Sequence, residues 1–435
     1  MAERVFPRPK RAGTRRCQDK TEGRCKMDSG STSADTLELR YMKIRTFLEE
    51  RDLGALLVYS PPAEHKWGQT GHVSYLTGWA NHDRIVDSAV VIPVEGPPAL
   101  LVAGLPFMLE HVADVSPVRD VRLVQAVDPN AVAIARSAGQ PAGAGPRSFA
   151  GEALAILRER EVYGESIGVV GLSNMPLPFY EALAGELGDR LSRVDDVVAE
   201  MRSVKSAGEL ELMRHAALLG DLGFERMIEV ARPGMSGIEI VAEMERVARR
   251  EGADHAKYWM ASGPATTWND TRLDIKPHQR VLQDGDLMAV CSYIVYRGYW
   301  SHGQRTGTIG RPSEHLEEIA QIARDAQDAG IAAMRPGLRA GQIAKAVREK
   351  AAESGWELQG GRVGHGIGLD YSEIPVPAES NQTTLKAGMT VVIHSSFALP
   401  GSGKLFVPLG DQVHITDDGP EFLMDFPRTL FLLGR

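Results

Sequence analysis

The run Asp286-Leu-Met-Ala-Val-Cys-Ser-Tyr-Ile-Val-Tyr-Arg-Gly-Tyr-Trp-Ser-His-Gly-Gln-Arg-Thr306 decides the fold. It reads as a β-hairpin: an apolar stretch rich in β-branched and aromatic residues, a turn at Arg297-Gly298, and a second strand. Period-2 alternation sets Cys291, Tyr293 and Val295 on one face of the first strand. The same rule sets Trp300, His302 and Gln304 on one face of the second. A thiol and an imidazole therefore share one face of paired strands.

Around this hairpin the composition is that of a folded α/β protein. The 435 residues suffice for two domains, each with its own core, and 43% hydrophobic with 24% charged residues is ordinary for a globular chain. A net charge of -8 argues against nucleic acid as a partner. No apolar run reaches the roughly 18 to 20 residues of a membrane span, so no membrane partner is expected. Cys17, Cys25 and Cys291 make no disulfide framework and point to a reducing, cytoplasmic setting.

Residues 1–35 hold nine basic residues and few large apolar ones, which predicts a disordered leader, with Met27 as a candidate true start. Leu37, Leu39, Tyr41, Met42, Ile44 and Phe47 then recur at helical spacing. Strands are expected at Ala55–Tyr59, Ser88–Ile92, Ala99–Val102 and Ile167–Gly171, and helices over 149–161 and 177–187. Further helices are expected over 207–231, 236–252, 314–335 and 340–355, and strands at Met389–Ser395 and Gln412–Thr416.

Gly285-Asp286, then Gly298-Tyr-Trp-Ser-His-Gly-Gln-Arg-Thr306, resembles the hairpin of the pita-bread family of methionine aminopeptidase, aminopeptidase P, prolidase and creatinase. Gly364-His-Gly-Ile-Gly-Leu369 and Arg202-Ser-Val-Lys-Ser206 are similar to two further family segments, and Tyr75-Leu-Thr-Gly78 to its amino-terminal domain. The resemblance covers residues 37–430. It implies an α/β chain with a creatinase-like amino-terminal domain at 36–198, a pita-bread catalytic domain at 199–435, and a homodimer.

Carried over position by position, the resemblance also implies a rewritten site. The family's two hairpin Asp ligands fall on Cys291 and His302, its His on His365, and its two Glu on His394 and Gly410. Two metals bridged by carboxylates need those carboxylates, so ordinary aminopeptidase activity is not expected. Three of the four positions that surround one metal are now His302, His365 and His394. Three neutral imidazoles with open positions suit one divalent transition metal, Fe or Zn foremost. Gly410 would leave room there for water or substrate.

Plainer readings stand beside this one. A His in a strand such as Val391-Val-Ile-His394 is most often a hydrogen-bonded core residue. Creatinase works in this scaffold without metal, by His and Glu acid/base groups, which here would be His365 and Glu373. A catalytically dead binding scaffold is the third reading.

Cys291 and Glu373 are the catalytic candidates, although Cys291 also reads as a small core residue and Glu373 as a buried hydrogen-bond partner. Trp268, Tyr293, Ser372 and Arg305 are the substrate-binding candidates; Ser372 stands where relatives carry a substrate-side His, and Arg305 also reads as a brace of the hairpin. The expected function is hydrolytic or lyase-type C–N cleavage of a small molecule at a mononuclear three-His metal site. An Fe(II)-dependent oxidase or oxygenase is the rival, because the same three ligands serve dioxygen.

Overall fold

The computed structural model describes residues 33–61, 70–79, 86–104, 107–124, 147–264, 280–398 and 409–434. The chain divides into two compact units, the boundary along the sequence falling between Arg202 and Ser203. The expected leader and Met27 lie outside the described residues through position 32. From Ala34 the chain is already helical: Ser33 caps the helix Ala34–Glu50 by accepting the Thr36 N–H at 3.1 Å. None of the described helices is long and apolar enough to cross a membrane.

The amino-terminal unit is built on a sheet of β1 (Ala55–Ser60), β2 (Ser88–Pro93), β3 (Ala99–Ala103), β4 (Asp120–Val124), β5 (Ile167–Val170) and β6 (Leu191–Arg193). Its order is β4-β3-β2-β1-β5-β6, with β1 antiparallel to β2 and parallel to β5. Every residue of β1, β2 and β3 is buried, which is why these strands read as unbroken apolar runs without alternation. The helices Phe149–Glu159 and Leu177–Leu187 set Phe149 and Phe179 edge-on to Tyr59, at 6.2 and 5.9 Å between ring centres.

The carboxy-terminal unit carries β7 (His255–Pro264), β8 (Asp286–Tyr296), β9 (Tyr299–Ile309), β10 (Glu357–Gln359), β11 (Gly364–Gly366), β12 (Thr390–His394), β13 (Ser396–Ala398), β14 (Gly410–Thr416), β15 (Gly419–Phe422) and β16 (Phe431–Leu433). The main sheet runs β11-β12-β14-β9-β8-β7, with β15 on β14 and β16 on β9. The hairpin β8–β9 turns on Arg297 and Gly298, both at positive φ (48° and 83°), the backbone that two-residue hairpin turns require.

Helices cover one face of this sheet. Ala207–Val230 and Gly237–Arg250 start at Ser206 and Ser236, each closed by a reciprocal bond with the Glu three residues on. Glu314–Ala332 and Ala340–Glu353 complete the set, all within three residues of the sequence expectation. Ala207–Val230 packs on the face of β7 and β8 that carries Tyr258, Ser292 and Ile294. Its Gly223 is obligatory in this packing, because a Cβ there would lie 1.9 Å from the Tyr258 Oη. The opposite face, offset by one residue along each strand, is left for chemistry.

Candidate metal centre

Strand register turns that opposite face into a grid. Tyr293 of β8 lies across from Lys257 on β7 and from His302 on β9. One row along, Cys291 lies between Trp259 and Gln304; on the other side, Val295 lies between His255 and Trp300. The face therefore mixes aromatic rings, one thiol and two imidazoles, His255 and His302, all placed by period-2 alternation.

β11 and β12 bring two more imidazoles to the same place. His365 pairs with Val392 across these strands, and His394 ends β12 opposite Gly410. The ring centres of His302, His365 and His394 stand 5.2 Å (365 to 394), 5.4 Å (302 to 394) and 6.2 Å (302 to 365) apart. His302 Nδ1 donates to the Ser292 carbonyl at 2.7 Å, and His365 Nδ1 donates to the Gly366 carbonyl at 2.9 Å. A carbonyl only accepts, so both rings hold their proton on Nδ1 and present a bare Nε2 lone pair. The Nε2 atoms of all three histidines are buried and have no hydrogen-bond partner among the described residues.

These imidazoles are neutral. Burial, helped by the neighbouring His365, lowers the His302 pKa to about 3. Burial lowers His365 to about 4, and burial with the other two rings holds His394 well below its ordinary value. Neutral imidazoles with free lone pairs are metal donors.

Spacing fits less completely than chemistry. An ion about 2 Å from each Nε2 stands about 3 Å from each ring centre, so tetrahedral ligation separates the centres by about 5 Å. Two of the three separations match, and the third is wide by about 1 Å. Accordingly, among the described residues no group of three or more His, Cys, Asp or Glu side chains is closed up enough to hold a metal ion.

The other sequence candidates distribute around the triad. Cys291 is fully buried, bonded to Gln304 and Tyr293, and its thiol is pushed up by burial. Tyr293 sits 4.7 Å from His302 between ring centres and is pushed up by burial as well. Ser372 is half-buried, and Trp268 lies outside the described residues. Glu373 pairs with Lys205 at 2.9 Å, both side chains nearly closed to solvent, and its Oε1 accepts the Asp370 N–H at 3.0 Å.

Two expectations need correction. Gly410 does not open space: a Cβ there would meet the Gln304 Cγ at 2.8 Å, so glutamine fills the volume that the missing side chain vacates. Arg305 is not placed to meet a substrate. It is fully buried and donates to the Gln304, Gly410 and Phe426 carbonyls at 2.9, 2.6 and 2.8 Å and to Asp411 at 3.0 Å. It braces the hairpin against β14, the other role its sequence position allowed.

Residues 211–418 match the model of metallopeptidase family M24. The match lies within the carboxy-terminal unit and supports the expected pita-bread M24 domain there. An uncharacterised peptidase of Bacillus subtilis is 29% identical over 281 residues, 62% of this chain and 77% of its own. The Xaa-Pro dipeptidase of Pyrococcus horikoshii is 29% identical over 276 residues, 61% and 76% of the two chains. Among solved structures, the prolidase of Thermococcus sibiricus superposes with a TM-score of 0.73 at 24% identity, covering 91% of this chain and 99% of that one. That likeness establishes the fold expected from the hairpin, an amino-terminal domain followed by a pita-bread domain.

Tyr371 and Trp259 are site residues that sequence reasoning passed over. The Tyr371 ring lies 4.5 Å from His365, 5.1 Å from His302 and 5.2 Å from Tyr293. Trp259 and Trp300 extend the same aromatic cluster, at 4.5 Å from Tyr293 and 5.9 Å from Tyr371. Trp300 was legible from alternation alone, whereas Tyr371 sits in an irregular loop and carries no periodic signal.

Proposed function

We propose that this chain is an enzyme for a small molecule that works through one transition-metal ion held by His302, His365 and His394, and that it is not an Xaa-Pro peptidase. Three buried Nε2 atoms with no partner among the described residues carry the reading. A buried polar atom left unsatisfied costs about 1 to 3 kcal/mol, and three in one ring cluster are a cost that a shared ligand removes. A bound ion would supply Lewis acidity and an acidified water, the requirements of hydrolytic or lyase-type C–N cleavage. The chain's own residues prepare for it: the Ser292 and Gly366 carbonyls fix two tautomers, and a ring shift of about 1 Å brings His302 and His365 to ligating distance. The nearby carboxylates are committed elsewhere, Glu373 to Lys205 and Asp411 to Arg305 and Arg428, which supports departure from the two-metal peptidase site.

Elemental analysis of full-length protein purified without chelator tests this. About one equivalent of Fe, Zn, Cu, Mn, Co or Ni is expected, with no metal-stimulated cleavage of an Xaa-Pro dipeptide. Less than about a tenth of an equivalent, with none regained on reconstitution, overturns the metal site. Robust Xaa-Pro cleavage overturns the departure from peptidase chemistry.

A further inference from the structure

We infer that Gln412 is a fourth protein donor to the ion, through its side-chain oxygen Oε1. The inference deepens the preceding reading and rests on it for the ion itself.

Register places Gln412 among the three imidazoles. Val392 pairs with His365 on one neighbouring strand and with Gln412 on the other, so the three side chains form one row of the same sheet face. His394 stands two residues past Val392, which makes both His365 and Gln412 its diagonal neighbours. Diagonal neighbours on one face lie about 7 to 8 Å apart, within reach of a long side chain. His365 spans that relation to bring its ring centre within 5.2 Å of His394. His302 is reached from the other side. Gly410 pairs with Gln304, and Gln412 and His302 each lie two residues beyond that bridge, in the same direction because the strands are antiparallel. The alternate residues Val391, Ile393, Val413 and Ile415 enter the hydrophobic core beneath the helices Glu314–Ala332 and Ala340–Glu353, which leaves Gln412 the opposite, triad face.

Burial and bonding mark Gln412 as a polar group without a task in the fold. It is 0% exposed, and neither its Oε1 nor its Nε2 has a hydrogen-bond partner among the described residues. Buried amides are ordinarily satisfied, since each unmet group costs about 1 to 3 kcal/mol. Other polar side chains of this face are engaged, Gln304 with Cys291 and His414 with Glu421 at 3.0 Å. An amide closed to solvent is not a substrate contact, so whatever satisfies it lies among the side chains. The imidazole nitrogens and the carboxamide oxygen all offer lone pairs, and a cation is the ligand that answers them together.

Titration of the full-length, chelator-treated protein with Co(II) alone tests this, reading affinity, visible absorption and metal-free melting temperature in the parent, Gln412→Leu and Gln412→Glu. Gln412→Leu is expected to weaken Co(II) binding by at least about tenfold and to change the intensity of its visible bands, which follows the number of ligands. Its metal-free melting temperature is expected to stay level or rise, because leucine fills a similar volume without an unmet amide. Gln412→Glu keeps an oxygen donor and is expected to bind Co(II) at least as tightly as the parent. Unchanged affinity and bands in Gln412→Leu overturn the inference. So does a metal-free melting temperature that falls along with its Co(II) affinity, since the amide then serves the fold. A Gln412→Glu protein that binds Co(II) no better than Gln412→Leu overturns it as well. The two readings fail distinguishably. A parent that takes up no Co(II) removes the metal site and the part of Gln412 in it, whereas Co(II) binding indifferent to residue 412 removes this inference alone.

Discussion

His365 and Glu373 converge on a single acceptor: the imidazole Nδ1–H and the Glu373 main-chain N–H both donate to the Gly366 carbonyl, at 2.9 and 2.8 Å. The carbonyl that sets the His365 tautomer is thus held in a loop tied down by Glu373. That side chain is itself anchored by Lys205, which reaches it across the pita-bread unit at 2.9 Å. These contacts favour a bracing role for Glu373 over acid/base chemistry, because a carboxylate locked to an ammonium is a poor proton carrier.

Lys205→Met should therefore act through stability. Removing one partner of a buried pair leaves the other charge uncompensated, at a cost of about 3 to 5 kcal/mol. The double variant Lys205→Met/Glu373→Leu removes both charges and should recover most of that loss. Urea unfolding of the three proteins measures it. A single variant as stable as the parent would mean that the pair contributes nothing to the fold.

Asp221 should give the chain a falling stability profile between about pH 4 and 7. Burial raises its pKa to about 7, against the opposing pull of Arg305 and the N–H groups of Asp425 and Phe426 that its Oδ2 accepts. The folded state then holds this proton more tightly than the unfolded state, so stability present below pH 4 is lost as pH rises to 7. Three pKa units correspond to roughly 4 kcal/mol as an upper figure. Asp221→Asn keeps an oxygen for the two N–H groups and offers an amide at the unpartnered Oδ1 position. The difference between parent and variant unfolding energies, measured at several pH values, isolates this residue from the histidines, whose depressed pKa values act in the opposite direction below about pH 6.5. A pH-independent difference would show that Asp221 titrates normally in the folded chain.

How far the sequence carried the structure differs between the hairpin and the space around it. Alternation placed Cys291, Tyr293, His302 and Gln304 on one face, because the side-chain period in a strand is fixed by the pleat. The helices expected over 207–231 and 236–252 were equally plain from their amphipathic periodicity, and the structure closes each with a Ser three residues before a Glu. β7 was not foreseen: His255–Pro264 lacks an apolar alternation, because of its site-facing side chains His255 is exposed and Lys257 and Trp259 are part-exposed, while Tyr258 and Met260 are buried behind them. Gly410 shows a second limit. A missing side chain looks like a vacancy in one dimension, but the neighbour that fills it, Gln304, sits 106 positions earlier in the chain and next to it only through the β9–β14 register. Tyr371 shows a third, since an irregular loop carries no periodicity from which to read which way a ring points.

The sharpest expectation concerns the three histidines as a set. If they share one ion, His302→Ala, His365→Ala and His394→Ala should each lower metal occupancy by at least about tenfold, because a two-imidazole remnant has too few donors to compete with solvent and buffer. Cys291→Ala should leave occupancy unchanged. Its thiol is pushed up by burial and engaged with Gln304 and Tyr293, so it is a neighbour and not a thiolate ligand. Stability separates a ligand role from a packing role. Each histidine variant removes a buried ring and should lower the unfolding energy of metal-free protein, but only a ligand should also lose the stabilisation gained on adding metal. Elemental analysis of the four variants, with thermal unfolding before and after metal addition, reads both effects. Histidine variants that keep full metal and the full metal-induced rise in Tm would place the ion elsewhere. A Cys291→Ala variant that loses metal would bring the thiol into the ligand set.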